Sequence, residues 1–153
     1  MPNIVGRFLA RNDVVLGLDV FDKTGALEAI AVLLERHHHF KREPILSALW
    51  LREQIGATAL PHGIAIPHAC VEGINQPIMM LARTRLPIKF GAPGHQSVSI
   101  LFVIVVPEES TDEHLQILAT VSEMFSDDKF RQQLDATVDP VEVHRLVTEW
   151  KTT

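Results

Sequence analysis

Four side chains in this sequence have the types and local settings that phosphorus chemistry uses. They are His68 in GIAIPHA, His114 in STDEHLQ, and Arg52 and Thr58 in LREQIGATAL. His68 follows a rigid proline at the end of a short apolar run, where α/β proteins present side chains at strand ends. His114 falls in the first turn of a helix, where unpaired amides and the helix dipole favour an anion. Arg52 carries a planar guanidinium whose fork matches two oxygens at once, and Thr58 can offer a hydroxyl to the same anion. If these groups converge, two imidazoles, an arginine, a hydroxyl and a helix N-terminus make a phosphoryl site that works without a metal. Taken singly, each histidine reads more readily as a structural residue with its ring nitrogens satisfied than as a reacting one, and Arg52 reads as a solvated helix arginine.

A zinc site is the competing chemistry, because His62, His68, Cys70 and His114 could supply four ligands. No C-x-x-C or H-E-x-x-H spacing supports it, so no metal and no cofactor are assigned. Cys70 as a nucleophile beside His68 is set aside on the expectation that an extended chain turns the two to opposite faces. The chain holds 8 histidines, and most read as bland. His37, His38 and His39 are expected on the surface near a helix C-terminus, where imidazolium suits the dipole. His62 reads as a loop histidine, His95 as a solvated residue of a turn after Gly91, and His144 as half-buried on the last helix.

The elements that must position these residues follow from period and punctuation. Asp22 or Thr24 caps a helix to about Arg36, with Leu27, Ile30, Ala31 and Leu34 on one face. Pro44 suits a first helical position, and Ile45, Leu46, Leu49 and Trp50 carry that helix towards Gly56. GIAI, residues 77–83 and residues 88–90 read as strands, and the stretch 98–106 as a strand buried on both faces. Ser110 and Glu113 form a capping box before Leu115, Leu118, Val121 and Phe125. A short helix at 128–134 and a last helix from Pro140, with Val141, Leu146, Val147 and Trp150, complete the pattern. Two helices, a cluster of strands and three helices predict one α/β layered domain over 1–153. With 153 residues, 46% hydrophobic and 22% charged, the chain can bury a core without disulfides. The net charge of -5 argues against a nucleic-acid partner. The absence of a signal peptide, of a membrane-length apolar run and of a second cysteine predicts a cytoplasmic protein with no direct membrane insertion.

The stretch LREQIGATAL–PHGIAIPHA resembles the signature of the IIA domains of the fructose/mannitol class in the bacterial phosphotransferase system. The likeness continues through PIMMLARTRLPIKFGAPGHQSVSILFVIVVPEESTDEHLQIL and covers about Val14 to Leu146. It implies that family's fold, a mixed sheet of about five strands flanked by helices. It also implies a metal-independent phosphocarrier: His68 accepts the phosphoryl group on Nε2 from an HPr-like phosphohistidine protein. By the same resemblance His114 is the partner histidine, Arg52 the phosphate-side arginine and Thr58 the phosphate-binding threonine of the turn. Docking is expected on Ile64, Ile66, Pro67 and Ala69. A free-standing domain of this length is most similar to the nitrogen-regulatory IIA proteins, which act on regulatory targets. One alternative is a sugar-specific IIA that passes phosphate to a IIB domain. Another is a binding module no longer phosphorylated, motivated by Ala69 where the family commonly has glycine and by Cys70 where it often has a basic residue; Ala59 also stands where the family commonly has glycine.

Overall fold

The computed structural model of the chain describes residues 2–91, 97–109 and 111–152. His95 and Ser110, with the turn and the capping box expected there, lie outside those residues. The run ILFVIVV forms the middle of β6 (Ser97–Pro107) and alternates between two cores. Leu101, Val103 and Val105 face one core, while Ile100, Phe102, Ile104 and Val106 face the other. A strand buried on both faces requires helices on each side of its sheet.

The sheet is mixed. β1 (Val14–Leu18), β5 (Ile78–Lys89), β6, β3 (Ile64–Ala65) and β2 (Ala59–Leu60) lie side by side in that order, and β4 (His68–Val71) also pairs with β6. β1 runs parallel to β5, and β3 and β4 run parallel to β6, whereas β5 with β6 and β2 with β3 are antiparallel. Among the described residues the sheet has 6 strands, in keeping with the mixed sheet of about five that the resemblance implies. Pro67, which has no N–H to give a ladder, divides one extended run into β3 and β4. In β5 the opposite happens: the two short strands expected there are one strand, with a register break between Arg83 and Ile88 that contains Pro87.

α1 (Lys23–His38) and α2 (Arg42–Ile55) cover one face; α3 (Thr111–Ser126), α4 (Asp128–Ala136) and α5 (Pro140–Glu149) cover the other. Asp22 caps α1 by accepting the Gly25 N–H at 2.7 Å, and Asp139 caps α5 ahead of Pro140. Pro44 occupies the third position of α2 instead of the first, where its missing N–H is still one that a helix start leaves unpaired. In α3 the buried stripe is Ile117, Val121, Met124 and Phe125, so Leu115 is left 64% exposed. In α5 Val143 and Val147 are buried, and Val141 faces solvent. Among the described residues no helix is long and apolar enough to cross a membrane.

His37 and His38 are not the free surface imidazoles expected of a helix end. Both are half-buried and donate to the two oxygens of the fully buried Asp13 carboxylate, each at 2.6 Å. A buried carboxylate needs such partners, and the clasp pins the end of α1 to the turn that enters β1. His39 alone takes the exposed role, closing α1 in the left-handed conformation at φ 57.

Candidate functional site

β4 and the first turn of α3 bring the two selected histidines together. Ala69 and Val71 point into the core beneath α1 and α2, so the period of the strand turns His68 and Cys70 to the α3 side. There the His68 and His114 rings stand 5.9 Å apart, centroid to centroid, at 66°. The Nδ1–H of His68 donates to the carbonyl of Ile66 at 2.7 Å. A carbonyl can only accept, so this bond fixes the tautomer and leaves the lone pair on Nε2. Burial is the largest influence on His68 and lowers its pKa. The Ile66 bond opposes that effect, the positive charge of Arg52 adds to it, and the carboxylate of Glu53 opposes it in turn; the net shift is downward. The pKa of His114 is also lowered, by burial first and by its neighbour His68 second. His114 Nε2 is buried and, among the described residues, has no hydrogen-bond partner. Two neutral imidazoles therefore meet here, one with a free nucleophilic nitrogen and one with an uncommitted polar atom.

Arg52 lies close enough for its charge to act on His68, and one of its nitrogens donates to the carbonyl of Gly56 at 2.8 Å. That bond holds the guanidinium across the end of α2. Thr58 is buried, and its hydroxyl donates to Glu53 Oε1, while its amide donates to Glu53 Oε2 at 3.2 Å. Lys23 Nζ completes the carboxylate's partners at 2.7 Å. The threonine thus addresses a protein carboxylate, and Glu53 is the functional neighbour that sequence reading overlooked. Its signal was present: Ile45, Leu49 and Glu53 are spaced by four, so an acidic residue continues the buried stripe of α2.

Two expectations are corrected here. Ile64, Ile66, Pro67 and Ala69 are buried, because both faces of the sheet are covered, so they cannot form the docking patch. The exposed apolar side chains on the site's own elements are Leu51 and Ile55 beside Arg52, and Leu115 beside His114. Cys70 does not point away from His68: two residues apart in a strand, they share a face, and Cys70 Sγ lies 3.9 Å from His114 Nδ1. His62 is exposed in the turn before β3, as a loop histidine. That turn meets β6 at Ser99, whereas His68 pairs with Ile104, about 16 Å further along the strand. His62 therefore cannot join His68, Cys70 and His114 as a fourth zinc ligand. His144 is half-buried, its Nε2–H donating to the Leu9 carbonyl at 2.8 Å.

Two imidazoles and an arginine gathered at strand and helix ends of an α/β scaffold have the make-up of a site for an anionic group. The comparisons make this specific. The family model described as "Phosphoenolpyruvate-dependent sugar phosphotransferase system, EIIA 2" matches residues 7–150, and the chain belongs to that family. It is 33% identical to a nitrogen regulatory protein of Pseudomonas aeruginosa over 128 residues, 83% of each chain. It is also 33% identical to a fructose-specific EIIA component of the phosphotransferase system of Haloferax volcanii over 113 residues, 73% of each chain. The crystal structure of nitrogen regulatory protein IIA-Ntr from Neisseria meningitidis superposes with a TM-score of 0.89 at 34% identity, covering 95% of this chain and all of that one. Nitrogen regulatory IIA proteins are thus prominent among its relatives, with sugar-specific IIA components beside them.

Proposed function

We propose that the protein is a cytoplasmic IIA phosphocarrier of the nitrogen-regulatory type, in which His68 Nε2 accepts a phosphoryl group from a phosphohistidine of an HPr-like protein. The observation that carries this reading is the bond from His68 Nδ1–H to the Ile66 carbonyl, which supports a neutral imidazole with Nε2 free. In the transfer, the P–N bond to the donor imidazole breaks as a P–N bond to His68 Nε2 forms, through a loose, roughly in-line transition state. The donor imidazole leaves with the electron pair of the broken bond. As Nε2 gains positive character, the Ile66 carbonyl stabilises the Nδ1–H opposite it. Arg52 and His114 are the groups suited to the equatorial phosphoryl oxygens. Thr58 acts on the site through Glu53, which it holds. The bond broken and the bond formed are alike, so the reaction is close to balanced and reversible, and it needs no metal to supply driving force.

The test is phosphoryl transfer from phosphoenolpyruvate through enzyme I and an HPr-like carrier, followed by intact-mass spectrometry under alkaline conditions. One phosphoryl group on the wild type and none on His68→Ala is the expected result. Transfer to His68→Ala would move the acceptor elsewhere, and no transfer to the wild type would favour the binding-module reading. The sugar-specific reading has its own support in the fructose-specific relative. It predicts that the phosphorylated protein passes its group to a cysteine of a IIB domain, whereas the nitrogen-regulatory reading predicts that it keeps it.

A further inference from the structure

We propose that Cys70 is a positioning residue of this site: its thiol hydrogen donates to Nδ1 of His114, holds that ring as the Nε2–H tautomer, and so keeps a donor ready for a phosphoryl oxygen on His68. The proposal rests on the reading of His68 as the phosphoryl acceptor. Three observations carry it. The parity of β4 places Cys70 on the same face as His68, on the α3 side of the sheet. Cys70 Sγ lies 3.9 Å from His114 Nδ1, within the reach of a sulfur hydrogen bond. His114 Nε2 is buried and has no partner among the described residues.

The rest is proton accounting. A neutral imidazole has one N–H, and whichever nitrogen lacks it can only accept. The oxygens of a phosphoryl group are anionic acceptors, so His114 serves them only when Nε2 carries the hydrogen. Nδ1 must then accept, and the thiol is the donor at hand. Were Nδ1–H to donate to sulfur instead, the Nε2 lone pair would face the incoming phosphoryl oxygens and repel them. A thiol is a weak donor, but imidazole nitrogen is a good acceptor, and a modest bias between tautomers is all the arrangement requires. Cys70 is exposed, so this control of an inner ring is placed where solvent reaches it.

The experiment reads the ring directly. Protein with 15N-labelled histidine is compared as wild type, Cys70→Ala and Cys70→Ser by long-range proton–nitrogen correlation spectra, beside the rate of phosphoryl uptake. Wild-type His114 is expected mainly as Nε2–H. In Cys70→Ala both tautomers should appear and uptake should slow by about 5-fold, the scale of one lost neutral hydrogen bond. Cys70→Ser, which restores an O–H donor, should recover the wild-type tautomer and most of the rate. A His114 tautomer unchanged in Cys70→Ala, or Nδ1–H in the wild type, overturns the proposal. If the wild type takes up no phosphoryl group, the proposed function falls, while the spectra still decide whether Cys70 orients His114.

Discussion

The state of the His68 ring is set by burial and by two neighbours, Ile66 and Arg52, whose effects separate on substitution. The Ile66 carbonyl leaves Nε2 with the lone pair, burial favours the neutral ring, and Arg52 lowers the pKa further; in the proposed transfer Arg52 also serves the phosphoryl oxygens. Removing Arg52 therefore acts twice. In Arg52→Ala the His68 pKa should rise, seen by NMR titration, and phosphoryl uptake should fall by about 100-fold, as when one transition-state donor is lost. A loss of rate without a rise in pKa would mean that the guanidinium is too far away to act on the ring. The lowered pKa values also set the pH dependence of stability. The folded pKa of His68 and of His114 lies below 6.5, so between that folded value and 6.5 the unfolded chain binds more protons than the folded one. Stability should hold above pH 6.5 and decline as pH falls through that window. Replacing both histidines with glutamine should flatten this part of a urea-denaturation series.

Elements matter because three short stretches hold the candidate site: the last turn of α2 with the turn after it, the strand β4 and the first turn of α3. Glu53 draws on Lys23, the Thr58 amide and the Thr58 hydroxyl, so the turn 56–58 is held to α2 by a buried carboxylate. Thr58→Val keeps the shape and removes one donor, so it should cost about 1–3 kcal/mol in urea denaturation. Phosphoryl uptake should fall far less than in Arg52→Ala. Uptake as poor as in Arg52→Ala, at full stability, would instead return the hydroxyl to the phosphoryl group. The helices and the two-faced strand β6 were legible because their signals are local: caps, proline positions and apolar period. GIAIPH and His114 were legible as a candidate site through resemblance, and the structure brings their two imidazoles together. What escaped depends on contacts between distant segments. The carboxylate of Asp13 and its two imidazoles lie 24 and 25 residues apart, and nothing local pairs them. The burial of Ile64, Ile66, Pro67 and Ala69 follows from helices on both faces of the sheet, α1 and α2 earlier in the chain and α3 to α5 later, which no local signal around residue 66 reveals. Cys70 was a matter of parity: two steps along a strand return to the same face, and once β4 is known to begin at His68 the thiol's direction follows.

On the scale of the whole molecule, the site is a surface that must receive a second protein and release it. The core takes the residues next to His68, and the exposed apolar groups on the site's elements are Leu51, Ile55 and Leu115, at 64%, 83% and 64% exposure. Leu51 and Ile55 are one helical turn apart and flank Arg52, while Leu115 follows His114 directly, so the three border the reacting groups. Transient carriers need such a patch: apolar enough to dock, small enough to let go. A phosphoryl group on His68 adds a charge of about −1.5 to −2 beside these side chains. A partner that fits the free form then meets a different surface on the phosphorylated one, which gives a carrier its means of regulation. Ile55→Asp and Leu115→Asp should each raise the KM for the carrier protein by about 10-fold, the scale of a contributing interface residue. Because neither side chain touches the reacting atoms, kcat should stay near the wild-type value. Val138 provides the comparison: it is 82% exposed and precedes α5, which packs on β1 beyond β5 and β6 from His68. Val138→Asp should leave KM unchanged. Equal effects at all three positions would trace the change to net charge, whereas a KM rise confined to Ile55 and Leu115 would draw the outline of the docking surface around His68.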